Sequence, residues 1–133
     1  FHPGGSLGKR LLTTAADVMK SDEMPIISKD MPLGDAILEV SKGKMGMGVA
    51  IENDKVIGLI TDGDLRRAME KWRENFFDRP VSDIMTCTPK MVAPTAKISE
   101  IQKIMSKYKI HSVLVVDEQH HLLGIVDHYR CMV

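Results

Sequence analysis

Thr61 and Asp64 stand three residues apart at the end of an apolar run, Val56-Ile57-Gly58-Leu59-Ile60, where a helical pattern begins near Asp62. A threonine hydroxyl beside the free amides of a helix N-terminus is a natural seat for a phosphate. A carboxylate one turn further on can accept two ribose-type hydroxyls. The same spacing also caps a helix, with the hydroxyl taking an amide and the carboxylate reaching back. The residue types satisfy both uses. Arg66 and Arg67 follow on the same helix, where they can reach an anion or pair with Glu70 at i+4 and i+3.

Other reactive side chains are scattered. His120 and His121 are neighbours in a turn and point to different sides, while His128 and Cys131 lack further ligands at zinc spacing. Asp62-Gly63-Asp64 is far short of a calcium loop, which needs more oxygen ligands and a distal glutamate. No metal site is expected. The two cysteines, Cys87 and Cys131, are too few for a disulfide scaffold and read as reduced thiols. With no nucleophile–base or acid–base pair, the chain is not expected to be an enzyme in itself.

The elements that must position Thr61 and Asp64 occur twice. Ala16-Asp17-Val18-Met19 returns as Ser82-Asp83-Ile84-Met85 at an offset of 66. Short apolar pairs follow, Ile26-Ile27 and Met91-Val92. Leu33, Ala36, Ile37 and Val40 then match Ile98, Ile101, Gln102 and Met105 at an offset of 65, a helical spacing. Pro32 suits the first turn of the first helix. Two hairpin strands follow in each copy: Gly48–Ile51 with Val56–Ile60, and Val113–Val116 with Leu122–Val126. Their near-continuous apolar runs predict strands packed on both faces. Leu65, Ala68, Met69 and Trp72 give a closing helix over Asp62 to Trp72, and Asn75 to Pro80 reads as a connection. Each copy is too small to bury a good core alone. The expected fold is mixed α/β: tandem βαββα repeats packed with pseudo-two-fold symmetry.

Met45-Gly46-Met47-Gly48 and Ile110-His111-Ser112 occupy equivalent positions at the strand entries. Small residues there let a base or sugar approach the backbone closely. Alternatively the glycines only turn the chain, with Gly43 or Gly46 as the helix C-cap. The second copy departs at the critical place. Aligning Gly124 on Gly58 puts Asp127 at the position of Thr61 and Arg130 at that of Asp64, and a full closing helix has no room before Val133. One nucleotide-type site per pair of repeats is expected.

Composition sets limits on partners. Among 133 residues, 18 Lys+Arg balance 18 Asp+Glu, so the basic excess that phosphate-backbone contact requires is missing and no nucleic acid is expected. Apolar residues at 44% and charged residues at 27% are globular proportions. No apolar run approaches the roughly 20 residues that cross a bilayer, and Phe1–Gly5 lacks the features of a signal peptide, so the cytosol is the expected compartment. Ten methionines against six aromatic residues read as adaptable core.

The repeat, with Gly-Leu-Ile-Thr-Asp-Gly-Asp-Leu-Arg-Arg at 58–67 and the Asp-x-Met openings at Asp17 and Asp83, resembles a CBS domain, and two in tandem resemble a CBS pair, or Bateman module. The stretch Phe1-His2-Pro3-Gly4-Gly5-Ser6-Leu7-Gly8-Lys9-Arg10-Leu11-Leu12 resembles the end of the sugar isomerase domain of arabinose 5-phosphate isomerases, in which a CBS pair follows that domain. The resemblance implies residues 1–14 as isomerase-domain tail and linker, 15–76 as repeat 1 and 77–133 as repeat 2. It implies a bacterial, cytoplasmic parent that interconverts ribulose 5-phosphate and arabinose 5-phosphate for Kdo synthesis, feeding lipopolysaccharide or capsule. It further implies nucleotide binding by Thr61, Asp64, Arg66, Gly46, Met47, His111 and Ser112, with AMP, ATP or CMP-Kdo as effector and no required cofactor. His2 corresponds to a catalytic histidine of that family, a proton-transfer group left here without its partners. A homodimer through the CBS pair, and a tetramer of the full-length enzyme, complete the expectation; ligand-free structural dimerisation is the alternative.

Overall fold

The structure, a computed structural model, describes residues 11–132. The first copy runs β1 (Ile26–Ile27), α2 (Leu33–Gly43), β2 (Met47–Glu52), β3 (Lys55–Thr61) and α3 (Asp62–Trp72), preceded by the one-turn helix α1 (Ala15–Val18). The second runs β4 (Met91–Val92), α4 (Ile98–Tyr108), β5 (Ser112–Val116) and β6 (Leu122–Asp127). It opens on a 3-10 turn at Val81–Asp83 and closes on another at Tyr129–Cys131. The expected βαββα order is therefore present, except that a single 3-10 turn replaces the last helix of the second copy.

Two three-stranded sheets result, β1-β2-β3 and β4-β5-β6. In each the short first strand lies parallel to the second and the hairpin is antiparallel. Both hairpins shift register at equivalent points, Ala50/Ile51 and Val115/Val116. Met47–Ala50 and Val113–Val116 are wholly buried, as continuous apolar runs require. β3 does not follow that expectation. Val56, Gly58 and Ile60 are buried while Ile57 and Leu59 are half-exposed, so one of its faces is incompletely covered.

Contacts divide the chain into two compact units: Glu23–Pro89, and the stretch up to Asp22 together with that from Lys90 onward. Equivalent residues build the two cores. Ile27, Leu33, Ala36, Val40, Ala50 and Ile60 fill one; Val92, Ile98, Ile101, Met105, Val115 and Val126 fill the other. The openings are exchanged, because Ala15 packs in the core of the second copy's sheet and Val81 in that of the first. Lys20 exchanges two backbone hydrogen bonds with Ile125, as Thr86 does with Leu59. The glycines of the strands explain the methionines of the openings. A Cβ on Gly58 would lie 2.7 Å from Met85 Sδ, and one on Gly124 would lie 2.5 Å from Met19 Sδ. Each glycine is the notch in which the methionine rests.

Asn75 to Pro80 does more than connect. Phe76 is fully buried in the first core. The carbonyls of Phe77 and Arg79 accept the amides of Gly34 and Leu33 at 3.0 and 2.7 Å, completing the start of α2, which has no side-chain cap. In the second copy the Thr13 carbonyl takes the Ile98 amide in the same way.

Neither Gly43 nor Gly46 is the helix C-cap. Lys44 and Lys109, equivalent residues with φ of 56° and 55°, are the left-handed caps of α2 and α4. Gly43 is required for a different reason, since a Cβ there would stand 2.6 Å from Cβ of Pro25. Gly46, with φ of +68°, turns the chain into β2.

Candidate functional site

Thr61 ends β3 and is the N-cap of α3. Its Oγ1 accepts the Asp64 amide at 3.1 Å, and Asp64 Oδ2 accepts the Thr61 amide at 3.0 Å. This reciprocal pair is a complete capping box. Asp64 Oδ1 is also engaged, by Arg67 Nη2 at 2.7 Å. Arg67 therefore pairs back towards the start of its helix and not forwards with Glu70, one of the two uses its spacing allows. Aspartate one turn before arginine places the negative charge at the positive end of the helix dipole, which favours this choice.

Two other chain segments start in the same way, and the comparison isolates what is distinctive at Thr61. At α1, Asp17 Oδ2 takes both the amide and the hydroxyl of Thr14, at 2.9 and 3.1 Å. These bonds hold the Asp17 carboxyl below its ordinary value, the Thr14 amide contributing most. The Thr14 hydroxyl hydrogen is thus used internally. At the end of β6, Asp127 receives the Arg130 amide on Oδ1 and its guanidinium on Oδ2, both at 2.9 Å. This start is closed by its own cation. Thr61, which accepts rather than donates, keeps its hydroxyl hydrogen for an outside acceptor. Thr14-x-x-Asp17 carries the Thr-x-x-Asp spacing as plainly as the later pair, so spacing alone marks both helix starts and does not separate them.

The other sequence candidates fall into two places. In the first unit Met47 is the strand partner of Thr61, and the Gly46 carbonyl accepts the Asp62 amide at 2.9 Å. Met47 is 1% exposed, so its side chain belongs to the core. Arg66 is exposed and lines an open cavity of about 650 Å³ between α2 and α3, together with Lys44, Gly46, Asp62, Ile37 and Leu65. Thr61 and Asp64 are not part of that lining. In the second unit His111 is exposed and its carbonyl accepts the His128 amide at 2.8 Å, while Ser112 is the strand partner of Asp127. The register pairs Met47–Thr61 and Ser112–Asp127 confirm the alignment of the two copies. His2 lies outside the described residues. Among the described residues no group of three histidine, cysteine or acidic side chains could hold a metal, and no helix is long and apolar enough to cross a membrane.

Comparison with known proteins agrees with this architecture. The sequence profile of the CBS domain matches residues 15–71 and again 81–132. A probable arabinose 5-phosphate isomerase of Haemophilus influenzae is 36% identical over 127 residues, which is 96% of this chain and 37% of that protein. The arabinose 5-phosphate isomerase KdsD of Francisella tularensis is 38% identical, over 94% of this chain and 38% of its own length. The chain thus spans a little over a third of these relatives, and the part matched is the CBS portion rather than a catalytic domain. Among solved structures, the CBS domain pair of protein MJ0100 in complex with methylthioadenosine and S-adenosylmethionine superposes with a TM-score of 0.80 at 21% identity, covering 90% of this chain and 92% of that one. The CBS domain protein PAE2072 of Pyrobaculum aerophilum, complexed with AMP, gives 0.79 at 17% identity, covering 89% of each chain. Two profile matches over two equivalent βαββ units, each with its own core, establish that the chain belongs to the CBS domain family as a tandem pair.

Proposed function

We propose that this chain is the nucleotide-sensing and oligomerisation module of a bacterial, cytoplasmic arabinose 5-phosphate isomerase of the Kdo pathway. The observation that carries the reading is the start of α3, where Thr61 retains a hydroxyl donor at a helix N-terminus and Asp64 stands partly exposed beside it. The relatives named arabinose 5-phosphate isomerase and the solved CBS pairs with bound nucleosides or nucleotides support it. In this reading an adenine nucleotide or CMP-Kdo binds at Thr61 and Asp64, with Arg66 and Gly46 of the same unit as further contacts. Binding favours one arrangement of the repeats and so biases the isomerase domains of a dimer or tetramer. The repeats are residues 15–76 and 77–133, with 1–14 as the join to the catalytic part.

A thermal-shift series with AMP, ATP, CMP-Kdo and arabinose 5-phosphate tests the proposal. A ligand at about 100 times its Kd adds about 2.7 kcal/mol, a rise of several degrees in Tm. The rise should vanish in Thr61→Ala/Asp64→Ala. Flat traces with a dimer on sizing would instead favour a structural module without ligand. The closed Asp127–Arg130 pair, which leaves the second copy no equivalent donor, is the observation on that side.

A further inference from the structure

The residues that α2 leaves to solvent form one stripe. Asp35, Leu38, Ser41 and Lys42 are exposed and Gly34 is half-exposed, at helical spacings that place them on a single face. α4 carries the same stripe at an offset of 65, with Ser99, Glu100, Lys103, Ser106 and Lys107 all exposed. Small residue, acid, serine and lysine recur in order, and only the centre changes its character, from Leu38 to Lys103. Acid in the first turn and lysine in the last suit the helix dipole, which accounts for the charges of both helices. The dipole does not account for Leu38, which is 66% exposed.

Apolar surface continues on both sides of Leu38. A Cβ on Gly34 would lie 3.3 Å from Cδ1 of Phe77, so that ring, 56% exposed, borders one end of the stripe. Ser41 also lines the open cavity between α2 and α3, to which Ile37 and the exposed Met69 contribute. The second copy has Gln102 in place of Ile37 and a 3-10 turn in place of α3.

The stripe of α2 is complementary to itself. About a two-fold axis at Leu38 a second α2 runs antiparallel, so that Leu38 meets its counterpart and each Asp35 meets the opposite Lys42. Two α4 helices in that arrangement would set Lys103 against Lys103, and α2 on α4 would leave Leu38 under an ammonium.

We infer that α2 is an interface between two copies of this chain, packed antiparallel on itself about Leu38, and that Lys103 keeps α4 out of such a contact. The inference rests on the oligomerisation part of the proposed function, for which it names the face, and needs no nucleotide.

Sedimentation equilibrium of the 133-residue chain over a concentration series is the test, with circular dichroism confirming the fold of each variant. The native chain should be a dimer. Leu38→Lys gives α2 the residue that α4 already carries at this place, so the fold tolerates it. Each substitution counts twice across the axis, and the Kd of the dimer should rise about a hundredfold. Asp35→Lys and Lys42→Asp should each raise it about tenfold by opposing like charges, and the two combined should restore it to within about threefold. Lys103→Ala should leave it unchanged. A double variant as weak as either single one would overturn the antiparallel arrangement. A native dimer indifferent to Leu38→Lys would overturn the inference and leave oligomerisation to another face. A monomeric native chain would overturn both the inference and the oligomerisation part of the proposed function, while nucleotide sensing keeps its own thermal-shift test.

Discussion

The two copies share a framework and differ at its edge. Strand order, parallel entry, hairpin bulge, lysine C-cap and glycine notch all recur at offsets of 65 or 66. After β3 the first copy continues into eleven helical residues that bury Leu65 and Ala68, and the chain then folds Phe76 into the core. After β6 the second copy makes one 3-10 turn and buries Cys131 alone, with Gln102 reaching the Cys131 carbonyl at 3.4 Å from the position that Ile37 holds in the first copy. A polar tie substitutes for a packed helix. The asymmetry extends to the two helix starts. The capped start of α3 leaves the Thr61 hydroxyl hydrogen for an outside acceptor, whereas the single turn after β6 is closed by Asp127 and Arg130.

That contrast is broken most directly through its largest side chain. Phe76→Ala should destabilise the first unit by about 3–5 kcal/mol, the range for an aromatic residue removed from a core. Cys131→Ala in the second copy should lose only about 1 kcal/mol, close to the burial of one methylene-sized group. Urea titrations of the two variants read the difference. Similar losses would mean that the second copy's closing turn is as important to its core as the helix is to the first.

The glycine notches sharpen the comparison at intermediate cost. Gly58→Ala and Gly124→Ala should each destabilise by about 1–3 kcal/mol through overpacking, but they should respond differently to a second substitution. The three atoms nearest to an added methyl on Gly124 all belong to Met19, at 2.5, 2.6 and 2.8 Å; the last is its Cβ, which Met19→Ala keeps, so that change relieves only part of the strain. At Gly58, Met85→Ala removes both methionine contacts, at 2.7 and 3.1 Å, and leaves the Thr86 carbonyl at 3.0 Å, so the relief there should be the larger. A double-mutant cycle at each site measures the coupling; equal coupling would contradict the difference in contacts.

Much of this was legible because the periodic apolar pattern is written twice. The Asp62–Trp72 helix and both hairpins follow from spacing alone. What escaped depends on contacts between residues distant in the chain. Gly43 looks like a cap in sequence, yet its role is set by Pro25, and the cap passes to Lys44. In the second copy Lys90 and Tyr108 replace Pro25 and Gly43, with the ammonium 3.9 Å from the ring centroid. Size complementarity is kept there by different chemistry. Phe76 was hidden in a stretch whose polar and proline residues read as a linker. At the site, the types of Thr61 and Asp64 were legible, but the hold of Arg67 on Asp64 was not. Helix spacing allows an arginine to pair forwards or backwards, and in the structure the guanidinium lies back over Gly63.

The hairpin turns offer the mildest test, and pH separates them. The first turn relies on backbone conformation, with Asn53 and Asp54 both left-handed at φ of 52° and 66°. The second relies on a carboxylate. Asp117 Oδ1 takes the amides of Gln119 and His121, and Oδ2 takes His121 Nδ1, each at 2.9 Å. These bonds, led by the His121 amide, hold the Asp117 carboxyl below its ordinary 3.8. A carboxylate lowered on folding contributes stability above its unfolded value and loses it as pH falls through the folded one. Asp117→Asn removes the charge and keeps the shape, so its Tm should lie below that of the native chain at neutral pH. The gap should shrink as pH falls below the ordinary value of 3.8 and close only once it passes the lower value of the folded carboxylate. Asp54→Asn is the control, since asparagine adopts the left-handed conformation readily and no such gap should open. A gap for Asp117→Asn that persists undiminished at low pH would show that the second turn, like the first, is held by backbone geometry rather than by charge.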